Sequence, residues 1–184
     1  YRNALKTFDY FFVQNESSKT LLQSIGFNNV KVSGDTRFDR VVSILERDNS
    51  LDFIEQFKDN KTTIVIGSSW PKDESLLVNY INQSSDDVKF IIAPHNIKQE
   101  QISNLKNQIQ KKTILYSEKD EMLKQVQHDK IETFQVFIID TIGILTKIYS
   151  YADIAYVGGG FGNPGVHNIL EPATFGVPVV IGPN

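Results

Sequence analysis

Ile154-Ala155-Tyr156-Val157-Gly158-Gly159-Gly160-Phe161-Gly162-Asn163-Pro164-Gly165-Val166-His167-Asn168-Ile169-Leu170-Glu171-Pro172 is the stretch on which the fold turns. It opens with a short β-branched and aromatic run, crosses a glycine-rich segment and enters a stretch of helical spacing that Gly176 closes. Strand, glycine turn and helix in that order make one unit of a parallel α/β sheet. Glycines let a backbone approach a ligand closely, and the first turn of a helix offers free N–H groups and a positive dipole end. An anion site is therefore one reading, and tight turns alone are the other. The dinucleotide fingerprint does not fit, because Asn163 stands where its third glycine would be, and no Gly-Lys-Ser/Thr follows to make a Walker loop.

Outward from this unit, apolar runs at 10–14, 30–33, 62–66, 88–93, 113–116, 136–140, 154–157 and 177–181 read as strands. Several lack polar alternation, which predicts a sheet covered on both faces. Helical spacing marks 17–25, 38–45, 51–57, 74–81, 97–109, 142–151 and 168–175, while the polar segment 118–132 reads as an exposed helix or an insertion. The expected architecture is α/β, a Rossmann-like parallel sheet with helices on both faces.

Composition narrows the function. The 184 residues carry 40% hydrophobic and 22% charged side chains, which is ordinary globular chemistry. A formal charge of −3 supplies no basic field for a phosphate backbone, so no nucleic-acid partner is expected. With no Cys there is no disulfide, thiolate nucleophile or thiolate metal site, and the three scattered His are not a zinc set, so no metal is expected. No apolar stretch is long enough to span a membrane. The chain opens at Tyr1 and stops at Asn184 just after an apolar run, and it reads as a soluble piece of a larger protein.

Ligands of open α/β sheets gather at the carboxyl ends of the strands, and four loops fall there. Gly67-Ser68-Ser69-Trp70-Pro71 offers small hydroxyl donors, or simply a turn and a helix cap. His95 follows the run at 88–93, as a ligand contact or as a structural hydrogen-bonder. Asp140-Thr141-Ile142-Gly143 is the third loop and the glycine stretch the fourth. Glu171, three residues after Asn168, would share its helical face; its carboxylate suits a vicinal diol such as a ribose, or else complements the helix dipole. The charged stretch Gly34-Asp35-Thr36-Arg37-Phe38-Asp39-Arg40 reads as a solvated or interdomain cluster. No Ser/His/Asp set or GxSxG is present.

Taken in order, VSGDTRFDRV, GSSWPKDE, APH, DTIG, YVGGGFG and GVHNILEPATFGVPVVIGPN resemble the 3-deoxy-D-manno-octulosonic acid (Kdo) transferase family over nearly the whole chain. The resemblance implies the C-terminal, donor-binding half of a GT-B glycosyltransferase that transfers Kdo from CMP-Kdo to a lipid A precursor in lipopolysaccharide synthesis, at the cytoplasmic face of the inner membrane of a Gram-negative bacterium. It implies that 1–32 end an acceptor-binding N-terminal domain and that 33–184 form the CMP-sugar-binding domain, truncated at its C-terminus. Carried over by position, Ser68, Ser69, Trp70 and His95 would face the donor's phosphate and sugar. Ile142, Gly143 and Ile144 would meet cytosine through backbone groups, and Gly159, Gly160, Phe161 and Gly162 would approach the phosphate. Asn168 would hold the phosphate end and Glu171 the ribose. The catalytic carboxylate, the lipid acceptor site and membrane contact would belong to the missing N-terminal part, leaving no catalytic residue here, and the scheme uses no cofactor beyond the donor itself. The segment 118–134 departs from the family pattern. A nucleotide-sugar epimerase of the same fold, a pyridine-nucleotide dehydrogenase and a non-catalytic nucleotide-binding domain are the alternatives.

Overall fold

The computed structural model describes residues 2–124, 130–162 and 165–184. Part of the segment 118–134, at 125–129, and Asn163 and Pro164 of the glycine stretch lie outside the described residues. The chain forms two compact units, Tyr1–Glu46 and Arg47–Asn184.

The first unit runs α1 (Arg2–Leu5), β1 (Phe11–Val13), α2 (Glu16–Ser24), β2 (Val30–Val32) and α3 (Thr36–Leu45). The strands pair in parallel with Phe11 opposite Val30, and α2 is the crossover. Asn15 caps α2 by accepting the Ser18 N–H at 2.9 Å, and the Phe27 ring meets Phe11 edge-on at 5.2 Å. The charged stretch serves a local purpose. Asp35 caps α3 by accepting the Arg37 N–H at 3.0 Å, and its carboxylate also takes the Arg37 guanidinium and the Gln14 amide. The Arg37 side chain, above the other contacts, holds the Asp35 carboxyl down to about 2. The expected domain change at 32/33 lies ahead of the observed division at 46/47, since α3, tied to Gln14 through Asp35, counts with the first unit.

The second unit contains α4 (Asp52–Lys58), β3 (Thr62–Ser69), α5 (Pro71–Gln83), β4 (Val88–Pro94), α6 (Gln99–Gln108), β5 (Thr113–Leu115), α7 (Lys119–Lys124), β6 (Val136–Ile138), α8 (Leu145–Ile148), β7 (Ile154–Val157), α9 (Leu170–Thr174) and β8 (Val179–Ile181). Its six strands form one sheet in the order β5-β6-β4-β3-β7-β8, with every pairing parallel. Alternate residues feed two cores. Val65, Ile91, Phe137 and Ala155 pack with Ile54, Phe57 and Ile148 on one face, and Ile66, Phe90, Ile92, Ile138 and Tyr156 pack with Val78, Ile81, Ile102 and Leu105 on the other. Both faces are covered, as the unbroken apolar runs predict, and each fully buried Ile or Phe contributes about 1.5–3 kcal/mol.

Three departures from the sequence reading bear on function. First, β3 continues through Gly67, Ser68 and Ser69, so part of the expected loop is strand. Gly67 allows this, since a Cβ there would lie 1.9 Å from the Tyr149 hydroxyl. Second, the expected helix over 142–151 is the short α8 followed by a 3-10 turn at Tyr149–Tyr151. Third, α9 has five residues and begins at Leu170 instead of 168. The 118–132 segment holds α7 and a 3-10 turn at Ile131–Thr133.

Candidate functional site

The sequence leaves β3 toward β4 on one side and returns to β7 on the other, so the β3–β7 junction is the point where strand order reverses. Crevices at such points are where α/β sheets hold ligands. Here the two backbones touch. The Gly158 N–H donates to the Gly67 carbonyl at 2.9 Å, and a Cβ on Gly158 would sit 2.3 Å from the Ser68 carbonyl oxygen. Ser68 has φ +53°, a left-handed conformation that a non-glycine residue adopts at a cost of about 1 kcal/mol or more, at an irregularity in the β3–β4 pairing. Glycine at 158 thus lets β7 close tightly on the end of β3 where the Ser68 backbone is strained.

Asp73 organises this edge. Its carboxylate is 1% exposed and accepts the Trp70 N–H at 2.8 Å, the Tyr156 hydroxyl at 2.6 Å and the Gly159 N–H at 3.0 Å. Pro71 starts α5, which makes Asp73 the third helical residue, able to reach back to the cap position. One side chain thus fastens the start of α5, β7 and the glycine stretch together. Burial first, and the bond to Asp73 second, push the Tyr156 phenol above its ordinary range, so it stays a donor.

Around Trp70 stand two imidazoles. The His95 ring stacks on the indole at 4.3 Å, and His167 stacks on His95 at 4.7 Å. The indole N–H donates to His167 Nε2 at 2.8 Å, which requires that nitrogen to be unprotonated and puts the ring proton on Nδ1. Burial, and then the neighbouring His95, lower the His167 pKa from its ordinary value, in agreement with a neutral ring. The backbone holds both: the His95 N–H donates to the Ser69 carbonyl at 2.9 Å and the His167 N–H to the Gly158 carbonyl at 3.1 Å.

The expected site residues divide. Ser68, Trp70, His95, Gly160, Phe161 and Gly162 lie at the carboxyl ends of β3, β4 and β7. Ser69 is 1% exposed, with its hydroxyl donating to Glu74 Oε1 at 2.9 Å, so it faces α5. Burial chiefly raises the Glu74 pKa. Gly159 takes φ +100°, but its N–H is committed to Asp73. Gly160 crosses Gly182 so closely that a Cβ would lie 2.7 Å from its Cα. Ile142, Gly143 and Ile144 form the loop after β6, with Ile142 82% exposed and Gly143 at φ +98°. Beside this loop a cavity of about 430 Å³ opens at Asp140, Ser117 and Lys106.

Asn168 lies before α9, its Oδ1 accepting the Leu170 N–H at 3.2 Å and its Nδ2 donating to Glu171 Oε1 at 3.1 Å. Glu171 Oε2 accepts the Thr146 hydroxyl at 2.8 Å. The partners of Glu171 are side chains rather than helix N–H groups, which favours an oriented acceptor over a cap. Because α9 is short, the helix-dipole part of the anion-site reading is weak, and the glycine backbone is left to carry it. Asp73, Tyr156, Thr146 and His167 are the residues that sequence reasoning missed; the Pro-x-Asp spacing after Trp70 was a usable signal for the first.

No family model matches the chain. Among curated proteins, it is 30% identical over 187 residues to the 3-deoxy-D-manno-octulosonic acid transferase of Chlamydophila psittaci, covering 100% of this chain and 41% of that protein. It is 26% identical to the enzyme of the same name from Rickettsia typhi, covering 98% of this chain and 38% of that protein. The chain therefore spans about two fifths of the length of the curated relatives it matches. Among solved structures, the C-terminal CMP-Kdo binding domain of WaaA from Acinetobacter baumannii superposes with a TM-score of 0.58 at 23% identity, over 77% of this chain and 72% of that one. The fold is that of this domain, and the sequence is related along its whole length to Kdo transferases.

Proposed function

We propose that this chain, related along its length to Kdo transferases, is the part that binds the CMP-Kdo donor in an enzyme transferring Kdo to a lipid A precursor during lipopolysaccharide synthesis. The observation that carries the reading is the placement of Ser68, Trp70, His95 and Gly160–Gly162 at the carboxyl ends of β3, β4 and β7, about the strand-order reversal of a sheet shaped like a CMP-Kdo binding domain. Glu171, oriented by Thr146 and Asn168, accepts the ribose hydroxyls, and the loop after β6 receives cytosine through its backbone. A lipid A hydroxyl attacks the anomeric carbon of Kdo, and the CMP phosphate leaves with the bonding electron pair. The amide of Gly160 stabilises the charge developing on that phosphate, while Gly159, bonded to Asp73, and Gly162, whose N–H donates to the Gly159 carbonyl at 3.2 Å, hold the loop in place. The base that takes the hydroxyl proton, the acceptor site and contact with the inner membrane's cytoplasmic face are assigned to the remainder of the enzyme; among the described residues no helix is long and apolar enough to cross a membrane.

Calorimetric titration with CMP, UMP and NAD tests the reading. Selective CMP binding that weakens in Glu171→Ala and Asn168→Ala supports it. Preference for UMP would instead favour an epimerase of the same fold, and preference for NAD a dehydrogenase.

A further inference from the structure

At the opposite edge of the same sheet, where β3, β4 and β5 begin, lysines gather around a concavity of about 340 Å³ that includes Lys61, Lys89, Lys111, Lys112 and Asp86. Lys89, the second residue of β4, is 1% exposed, an unusual state for a lysine. Its ammonium donates to the carbonyls of Glu132 at 2.6 Å and Phe134 at 2.7 Å and lies 4.7 Å from the Phe57 ring centroid. Lys61 donates to the Asp86 carbonyl at 3.1 Å, and Lys111 to the Ser84 carbonyl at 2.9 Å. These bonds satisfy N–H groups without neutralising charge. Among the described residues, Lys111 pairs with Asp86 at 3.2 Å, and the Asp86 side chain is 90% exposed. Like charges brought together, one of them buried, repel unless an anion joins them.

We propose that this concavity binds a phosphate-bearing dianion, held by the ammonium groups of Lys61 and Lys111 with the charge of the buried Lys89 behind them. Ammonium groups act on phosphate as point charges with several rotatable donors, so two of them can share the oxygens of one phosphate, while Lys89, bonded to the Glu132 and Phe134 carbonyls, adds its field. A doubly charged ligand matches them better than a carboxylate. Burial, with Lys61 adding to it, brings the Lys89 pKa down to about 8, against the opposing pull of Asp59 and Glu132. Lys111 and Lys112, Asp86 and Glu132 are the other charged groups lining the space. A bound dianion favours the protonated lysine, so binding near pH 8 takes up protons and weakens as pH rises beyond that value. The ligand chemistry has two sources, a soluble phosphate ester or a lipid phosphate headgroup.

The test is calorimetric titration with inorganic pyrophosphate at constant ionic strength and pH 7, on the protein and on the Lys61→Gln/Lys111→Gln double variant. Both lysines are partly exposed, and neither supplies the carbonyls that Lys89 bonds. Saturable binding, at least tenfold weaker in the double variant while CMP binding is unchanged, is expected. Weaker binding at pH 9 and proton uptake at pH 8, read from buffers of different ionisation enthalpy, are expected with it. Co-sedimentation with phosphatidic acid vesicles but not phosphatidylcholine vesicles, lost in the double variant, would name a lipid headgroup as the source; pyrophosphate binding without vesicle binding would name a soluble ester. Failure to saturate, or equal affinity in the double variant, overturns the proposal and leaves the donor site untouched, because CMP is measured separately.

Discussion

Replacing Asp73 by Asn and by Ala separates two jobs of one carboxylate. In the Ala variant the Trp70 N–H, the Gly159 N–H and the Tyr156 hydroxyl lose a buried acceptor, each loss costing about 1–3 kcal/mol. The three share one site, so the sum is not additive; a loss of roughly 3–5 kcal/mol of stability is expected, together with a glycine stretch no longer fastened to α5. Asn has the same shape. Its oxygen can replace Oδ2, which takes both N–H groups, while its amide donates to the tyrosine oxygen, so a cost of about 1 kcal/mol is expected. It also removes a negative charge next to a loop proposed to hold phosphate. At an effective dielectric of about 20 and a separation of about 7 Å, that repulsion is roughly 2 kcal/mol per unit charge. Water in the open crevice reduces it to about 1 kcal/mol, or roughly fivefold in affinity. The expected pattern is therefore crossed: Asp73→Asn melts slightly lower than the parent protein and binds CMP about fivefold tighter, whereas Asp73→Ala melts far lower and binds CMP weakly at temperatures where it is still folded. Thermal melts followed by circular dichroism, paired with CMP calorimetry, read both quantities. A folded Asn variant with weakened CMP binding, or an Ala variant that binds like the parent, refutes the assignment of Asp73 as the residue that positions the glycine loop.

Three further outcomes follow from the same geometry. Thr146→Val removes the hydroxyl donating to Glu171 Oε2 at nearly constant volume, and CMP affinity should fall about three- to tenfold, the net worth of roughly one ordinary hydrogen bond, with a melting temperature close to the parent's. Gly158→Ala places a methyl 2.3 Å from the Ser68 carbonyl oxygen, where only backbone can give way, and should cost several kcal/mol in a urea titration as well as CMP binding; a stable variant would refute the tight β3–β7 contact. Because folding lowers the His167 pKa, the unfolded chain binds the proton more readily. The stabilisation is complete above about pH 6.5 and is lost as pH falls below that toward the folded value. Trp70, the single tryptophan, should report the loss as a change in fluorescence that His167→Gln abolishes.

The sheet was legible because burial on two faces writes itself as continuous β-branched runs: 62–66, 88–93 and 136–140 contain Val65, Ile91 and Phe137 facing one core and Ile66, Phe90 and Ile138 facing the other. Boundaries were less legible where tertiary contact decided them. Gly67, Ser68 and Ser69 carry turn-forming chemistry, yet pairing of Gly67 with β4 and β7 and of Ser69 with β4 carries the strand through them, with Ser68 at the irregularity. The site shows the same division. Residues that would touch a ligand, such as His95 and Asn168 on loops and Glu171 in the first turn of α9, stand at positions the sequence marks. Those that aim them are placed by partners far along the chain. Asp73 meets Gly159 across 86 residues, Trp70 meets His167 across 97 and Thr146 meets Glu171 across 25. No local pattern encodes such pairs, because each side chain alone has an ordinary local explanation: Asp73 as a helix-start acid, His167 as one more polar residue after glycines. What distinguishes them is a hydrogen-bond partner brought close only by the closed sheet. The positioning network is therefore the part of this protein that only the folded chain exposes, and conservative changes within it are the ones that can shift ligand affinity without touching a ligand.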